Sequence, residues 1–283
     1  MDYNEQLNIL ITNALQEDIG TGDHSTLSTI PEQTLGTAVL KVKQAGILAG
    51  LSVAEKIFSH YQADANFTTY KHDGEQMVFG DMAFKVEAYA QTILSCERLV
   101  LNCMQRMSGI ATLTKQYTDL LEGCHTRLLD TRKTTPNFRL LEKEAVRIGG
   151  GHNHRFGLYD MIMLKDNHID YCGGIETAIE KANNYIQEKG LDLKIEIETR
   201  SLEDVQAVIR MGKVNRIMLD NFTPEDIRTA LVLINGEYET EASGGINLGN
   251  LREYADTGVD YISSGAIIHQ AVSLDLSLKA QIV

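Results

Sequence analysis

The sequence predicts an α/β protein: an incomplete (open) βα barrel with a smaller N-terminal α+β domain. Three observations carry that expectation. Beyond residue 109, six short apolar runs begin 21 to 34 residues apart, and amphipathic helices stand between most of them; this is the rhythm of parallel strands joined by helical crossovers. Each run ends in a polar, charged or glycine-rich tip, as expected where the carboxyl ends of barrel strands meet at one mouth. Before residue 109 the texture is different, with period-two alternation around one short helix. At 283 residues and 43% hydrophobic, the chain can bury one large core or two unequal ones.

Leu7, Leu10, Ile11, Ala14 and Leu15 fall on one helical face, so Tyr3 to Glu17 is expected to be a helix. Asp18 to Thr26 holds glycines and short polar side chains and reads as a structured loop. Alternation marks strands at Ala38–Lys43, Phe67–Tyr70 and Ala83–Ala88, with a helix over Leu51–Tyr61. From Ile93 to about Glu122 helical spacing returns, long enough for two helices or one bent one, with a domain boundary expected near Ser108-Gly109. The expected domains are therefore 1–108, 109–267 and a C-terminal segment 268–283 that packs back on the first.

The runs of the second domain are Arg127–Leu129, Met161–Leu164, Leu193–Ile197, Arg216–Leu219, Thr240–Ala242 and Tyr261–Ser263. Helices are legible in Ile175–Glu188, Leu202–Met211, Pro224–Ile234 and Leu248–Thr257, with Pro224 suited to a first turn. Such a sheet can curl into a barrel or be doubly wound, and the clustering of reactive residues at the strand ends favours the barrel. Six runs where eight would close a regular barrel leave it open.

Composition narrows the function. Lys and Arg number 26 against 39 Asp and Glu, a net charge of −13 that repels nucleic-acid backbones. The acidic start, Met1-Asp2-Tyr3-Asn4-Glu5, does not resemble a signal peptide, and no apolar run is long enough to span a bilayer. Cys96, Cys103, Cys124 and Cys172 lack paired spacing and read as reduced thiols, so the expected setting is the cytoplasm.

Between Arg127 and His168 the balance reverses, with eight Lys or Arg against five Asp or Glu. Lys143 and Arg147 read as solvated helix residues. Arg132, Lys133, Arg155 and Lys165 follow strands or sit in a glycine-flanked loop, where they suit a small ligand with more than one anionic group. The tips Ala242-Ser243-Gly244-Gly245-Ile246 and Ser263-Ser264-Gly265-Ala266 offer hydroxyls and backbone N–H groups at the last two strand ends, the usual phosphate position in such barrels. Glu198 and Asp220 point into the same mouth and could ligate Mg²⁺ through water, contact ribose hydroxyls or stabilise positive charge at an anomeric carbon. Either Glu196 or Glu198 could face the site, since they share one face of a strand. His152 and His154 also permit a zinc reading with His168 or Asp220, as in a metal-dependent amidohydrolase, although the fixed cation of Arg155 opposes it.

Several strings together resemble the quinolinate phosphoribosyltransferase family, the carboxylating nicotinate-nucleotide pyrophosphorylases. They are Glu97-Arg98, Ser108-Gly109-Ile110-Ala111-Thr112, Asp130-Thr131-Arg132-Lys133-Thr134-Thr135-Pro136, His152-Asn153-His154-Arg155, Leu164-Lys165-Asp166-Asn167-His168, Leu219-Asp220-Asn221-Phe222 and Glu241-Ala242-Ser243-Gly244-Gly245-Ile246. They occur in order over nearly the whole chain. The resemblance implies transfer of a phosphoribosyl group from phosphoribosyl pyrophosphate to quinolinate, with decarboxylation, to give nicotinate mononucleotide, pyrophosphate and CO₂ in NAD biosynthesis. It implies an open barrel, Mg²⁺ as cofactor, and a homodimer with shared sites or a higher oligomer built on it.

Carried over by position, Arg98 is the arginine supplied by a second subunit. Arg132, His154, Arg155 and Lys165 form the quinolinate pocket. Lys133, Glu198, Asp220, Ser243, Gly244 and Gly265 serve the phosphoribosyl pyrophosphate and Mg²⁺ side, with Lys133, Glu198 and Asp220 taken as catalytic. Thr131, Gly245, Ser264 and Ala266 complete the expected binding set. A molybdate-transport-associated subgroup with another anionic substrate is the nearest alternative, and a non-catalytic sensor of phosphorylated sugars would have no use for Lys133, Glu198 and Lys165.

Overall fold

The computed structural model of the chain describes residues 2–281; Met1 and the last two residues of the expected C-terminal segment lie outside them. In chain order the elements are α1 (Tyr3–Ile19), α2 (His24–Thr29), β1 (Leu35–Val42), β2 (Gly46–Ile47), α3 (Leu51–Tyr61), β3 (Asn66–Thr69), β4 (Gln76–Met77), β5 (Met82–Tyr89), α4 (Ala90–Leu120), β6 (Arg127–Leu129), α5 (Arg139–Ile148), β7 (Ile162–Leu164), α6 (Asp166–Cys172), α7 (Ile175–Lys189), β8 (Ile195–Thr199), α8 (Leu202–Met211), β9 (Arg216–Asp220), α9 (Pro224–Ile234), β10 (Glu239–Ser243), α10 (Leu251–Ala255), β11 (Tyr261–Ser263), α11 (Ala266–His269) and β12 (Leu276–Gln281). They fall into two compact units. One takes residues up to Lys115, Thr134–Gly150 and everything from Ile267 on; the other takes Gln116–Lys133 and Gly151–Ala266.

In the first unit, α1 starts where the Asp2 carboxylate accepts the Glu5 N–H at 2.8 Å and Glu5 accepts the Asp2 N–H in return, satisfying two donors that a helix start leaves open. The expected loop over Asp18–Thr26 shortens to Gly20–Asp23. α1 continues to Ile19, and α2 opens behind Asp23, whose carboxylate accepts the Thr26 N–H at 3.1 Å; Gly20 and Asp23 cap the two helices at either end of the turn. Four strands form an antiparallel sheet in the order β12-β1-β5-β3, with Leu40 opposite Leu278 on one side and Phe84 on the other. Phe58 and Phe84 are fully buried and the Phe67 and Phe84 rings lie 4.4 Å apart.

The stretch expected as two helices or one bent one is the single helix α4, and Ser108-Gly109 lies inside it. A Cβ on Gly109 would collide with the Val272 carbonyl, so this glycine serves close packing rather than a turn.

In the second unit the six expected strands all form, as a parallel sheet in the order β6-β11-β10-β9-β8-β7 among the described residues. β6 and β7 end the sheet without pairing to each other, which leaves the barrel open. Backbone at His152 settles on the free edge of β6, its N–H donating to Leu128 O and its carbonyl accepting the Asp130 N–H. The helix expected over Leu248–Thr257 is shortened to α10.

The two faces of this sheet differ sharply. Ile195, Ile197, Ile217, Leu219, Ala242 and Ile262 are buried on one face, where α8 lies against β8; each large side chain contributes about 1.5–3 kcal/mol. The register places Arg216 between Glu196 and Glu239, and Met218 between Glu198 and Glu241, so period-two geometry puts these residues together on the other face. A barrel normally fills its interior with branched apolar side chains. This interior carries charge.

Candidate active site

At the carboxyl end of β7, Lys165 precedes α6 and its Nζ lies 3.1 Å from Glu198 Oε2 on the neighbouring β8. Glu198 is 7% exposed, so a single cation half in solvent faces a nearly buried carboxylate. The Lys165 backbone N–H donates to His168 Nδ1 at 3.0 Å, which fixes the turn into α6.

One strand further, Asp220 ends β9. Its Oδ2 accepts a hydrogen bond from the Asn221 side-chain amide at 2.6 Å, and the Asn221 N–H donates to Ser243 O at the end of β10. Gly244 has φ +96° and a Cβ there would strike Asn221, while Gly245 follows at φ +63°; only glycine permits this pair of turns without strain. Ser264 lies against both neighbours, its N–H donating to Leu129 O and its hydroxyl to Ile246 O at 3.0 Å. Its hydroxyl thus ties two strand tips together, where the sequence suggested a ligand contact. Gly265 and Ala266 follow directly. Glu198 and Asp220 each keep one oxygen outside these bonds, and hard oxygen donors of this kind suit Mg²⁺.

After β6 the chain runs through buried Asp130 to Thr131, whose hydroxyl accepts the Lys133 N–H at 3.1 Å. Lys133 is exposed and Arg132 is partly covered. Asp130 Oδ1 also accepts the His154 N–H at 2.8 Å, linking this loop to the segment that carries Arg155. Burial lowers the Arg155 pKa, and the positive charge of Arg132 lowers it further, so the two guanidiniums feel each other directly. Arg155 donates to Met161 O at 3.1 Å and lines a cavity of about 250 Å³ with Arg127, Arg216 and Tyr261, the first residues of β6, β9 and β11. Leu129, the last residue of β6, lines the same cavity, so the Arg155 guanidinium stands between Met161, which leads into β7, and Arg132 at the carboxyl end of β6. Arg98 is exposed on α4, in the other unit.

The interior charges converge on His154, which is 8% exposed. Its Nε2 lies 3.0 Å from Glu196 and 3.3 Å from Glu241, both fully buried. Arg216 stands 3.0 Å from Glu241 and 3.9 Å from Glu196, bonds Glu239 at 3.1 Å, and stacks on Tyr261 at 4.1 Å. Burial disfavours a charged imidazole, yet hydrogen bonds to the two glutamates push its pKa up to about 9. Against that, the Arg155 N–H points at Nδ1 from 2.7 Å and occupies the lone pair a second proton would need. That hydrogen bond places the ring proton on Nε2. Burial, and then the negative charge of Glu241, push Glu196 up to about 7.

These contacts settle two alternatives left open by the sequence. Glu198 stands beside Lys165, whereas Glu196 serves His154. The zinc set does not assemble: His152 is exposed, His168 is bonded to Lys165, and His154 turns a protonated nitrogen toward Glu196 and Glu241. Sequence reasoning missed Arg216 and Glu241. For Glu241 the signal was the period-two pair of carboxylates in Glu239-Thr240-Glu241-Ala242, which marks a polar face on an otherwise buried strand; Arg216 opens an apolar run and carries no such mark.

Family models for the quinolinate phosphoribosyl transferase N-terminal and C-terminal domains match residues 23–108 and 110–279. A chloroplastic nicotinate-nucleotide pyrophosphorylase [carboxylating] of Arabidopsis thaliana is 43% identical, over 96% of this chain and 82% of that protein. A probable nicotinate-nucleotide pyrophosphorylase [carboxylating] of Bacillus subtilis is 42% identical, over 96% of this chain and 93% of its own length. Among solved structures, NadC from Streptococcus pyogenes superposes with a TM-score of 0.91 at 38% identity, covering 98% of this chain and 97% of that one.

Proposed function

The chain belongs to the quinolinate phosphoribosyltransferase family, and on that premise we propose that it transfers the phosphoribosyl group of phosphoribosyl pyrophosphate to quinolinate with loss of CO₂. The products are pyrophosphate and nicotinate mononucleotide, and the nucleotide feeds NAD biosynthesis. The observation that carries this reading is the pair Arg132 and Arg155, two guanidiniums held within reach of each other's charge. Like charges brought together in a partly buried place suit a ligand with two anionic groups, and quinolinate has two adjacent carboxylates.

Lys165 adds a third cation, and its contact with Glu198 keeps its ammonium at the strand ends. Lys133 is exposed in the loop after β6 and suits the phosphates of the donor. The turn at Ser243-Gly244-Gly245 and the tip at Ser264-Gly265-Ala266 form the walls on that side. Glu198 and Asp220 would hold Mg²⁺, which when bound neutralises pyrophosphate as a leaving group.

The reaction needs little covalent chemistry from the protein. As the bond from the anomeric carbon to pyrophosphate breaks, positive charge develops on the ribose, and the carboxylates of Glu198 and Asp220 stabilise it. The pyridine nitrogen forms the new bond to that carbon and becomes a pyridinium. That ring is the electron sink for the second step, in which the bond from C2 to its carboxylate breaks, CO₂ leaves and a proton takes its place.

The same reading gives a homodimer in which Arg98 of the partner subunit completes the pocket. Exposure of Arg98 on α4 supports it. Four free cysteines fit a reducing compartment, the cytoplasm, and among the described residues no helix is long and apolar enough to cross a membrane. The deciding assay mixes the purified protein with carboxyl-labelled quinolinate, phosphoribosyl pyrophosphate and Mg²⁺. Release of labelled CO₂ that depends on the donor, with nicotinate mononucleotide formed in equal amount, is the expected result; its absence rejects the reading.

A further inference from the structure

No step above uses the buried group formed by His154, Glu196, Glu241 and Arg216. Taking several charges out of water costs several kcal/mol each unless their partners are well placed, so the arrangement requires a reason. A divalent cation is one candidate, since donor atoms of His154, Glu196 and Glu241 lie within 4.8 Å of one another. Two features oppose it. Nε2, the atom facing both glutamates, carries the ring proton because Nδ1 already accepts the Arg155 N–H. The positive charge a metal would supply is already provided by Arg216, 3.0 Å from Glu241.

We propose that Glu241 and Arg216 are positioning residues that hold the His154 ring, and that His154 in turn sets the two arginines of the quinolinate grip. The contacts form an unbroken series. Tyr261 and Glu239 fix Arg216, Arg216 fixes Glu241, and Glu196 and Glu241 face the Nε2 of His154 at 3.0 and 3.3 Å. From there the series branches. Ring Nδ1 accepts the N–H of Arg155, and the His154 backbone N–H donates to Asp130, two residues before Arg132. Nδ1 is thus bonded within the protein and Nε2 is turned to two buried carboxylates, which makes His154 a brace and not itself a contact of the substrate. Buried hydrogen-bonded networks of this kind fix one arrangement of the groups they support.

This inference rests on the reading of Arg132 and Arg155 as the quinolinate grip, and its test separates the two. In the full-length protein carrying ¹⁵N-labelled histidine, the resonances absent from His154→Asn identify His154. They are expected to show a protonated Nε2 and an unprotonated Nδ1 between pH 6 and 8. Glu241→Gln is expected to raise the quinolinate KM by about tenfold or more, with kcat and the KM for phosphoribosyl pyrophosphate within about threefold of the unsubstituted enzyme. A loss of thermal stability with an unchanged quinolinate KM would show a merely structural role and overturn the proposal. So would a protonated Nδ1. Should Glu241→Gln fail to fold, His154→Asn and His154→Leu decide. Asn keeps an acceptor near the Nδ1 position and is expected to hold quinolinate several-fold more tightly than Leu; equal losses in both refute the brace. If the unsubstituted protein does not turn over quinolinate, the reading of the site fails, and the proton positions on His154 alone judge the brace.

Discussion

Arg106 places two guanidinium N–H groups, Nε at 2.9 Å and Nη2 at 2.8 Å, on the same oxygen of Glu142, a carboxylate with no exposed surface. The other Glu142 oxygen accepts the Thr135 N–H at 2.8 Å, and the remaining Arg106 donors reach the carbonyls of Ala271 and Ile268. One ion pair therefore joins α4, α5 and the chain from Ile268 to Ala271 within the first unit. Removing one partner strands the other charge, so Arg106→Met should cost about 3–5 kcal/mol in urea unfolding. Replacing both, as Arg106→Met with Glu142→Leu, should cost less than the two single changes added together. Strict additivity would show that the pair does not act as a unit.

Arg132→Ala tests the grip on the ligand. Loss of a partly buried charged contact should raise the quinolinate KM, lowering transition-state binding by about 2–5 kcal/mol in kcat/KM. Arg132→Lys should recover only part of this, because an ammonium cannot reproduce a planar fork of donors. Near-normal quinolinate kinetics in the alanine variant would take Arg132 out of the pocket.

The six parallel strands were legible because each pairs a short apolar run with a polar tip, as in Ile217-Met218-Leu219 followed by Asp220. β2 and β4, two residues each, are too short to show any period. Asp23 was read as loop because a helix cap and a turn use the same residues. At the site, the Lys165–Glu198 pair follows from adjacent strand ends. The meeting of Glu241 with Glu196 does not, because their strands flank β9 and only the sheet order brings both to one ring. Arg155 could be placed on its segment from sequence, but the direction of its side chain depends on how that segment settles on the edge of β6.

Asp260 predicts a pH dependence of stability. Burial alone would raise its pKa, but hydrogen bonds from His125 at 2.8 Å and from the Thr240 hydroxyl and N–H at 2.7 and 2.8 Å outweigh that and hold it below the usual carboxylate range. A carboxylate depressed in the folded state contributes stability above its unfolded pKa, near 4, and loses that contribution as pH falls through the folded value. Asp260→Asn should therefore destabilise the protein at pH 7, by about 1 kcal/mol once solvent screening is discounted. The difference from the unsubstituted protein should shrink on going from pH 5 to pH 2. A difference that stays constant over that range would show that the ionised form of Asp260 contributes nothing.

The proposed sharing of sites between subunits can be tested by complementation. Arg98→Ala removes the residue assigned to the partner's pocket, and Lys133→Ala removes one assigned to the chain's own loop. Each variant alone should be nearly inactive as a homodimer. In a mixed dimer, one pocket collects both defects while the other collects neither, because its Arg98 comes from the Lys133→Ala chain and its Lys133 from the Arg98→Ala chain. Random mixing puts half of all dimers in this mixed form, each with one intact site, so activity should return to about a quarter of the unsubstituted level. Mass spectrometry of the intact assembly under native conditions establishes that mixed dimers have formed. If they have and no activity returns, Arg98 serves its own chain and the site is not shared.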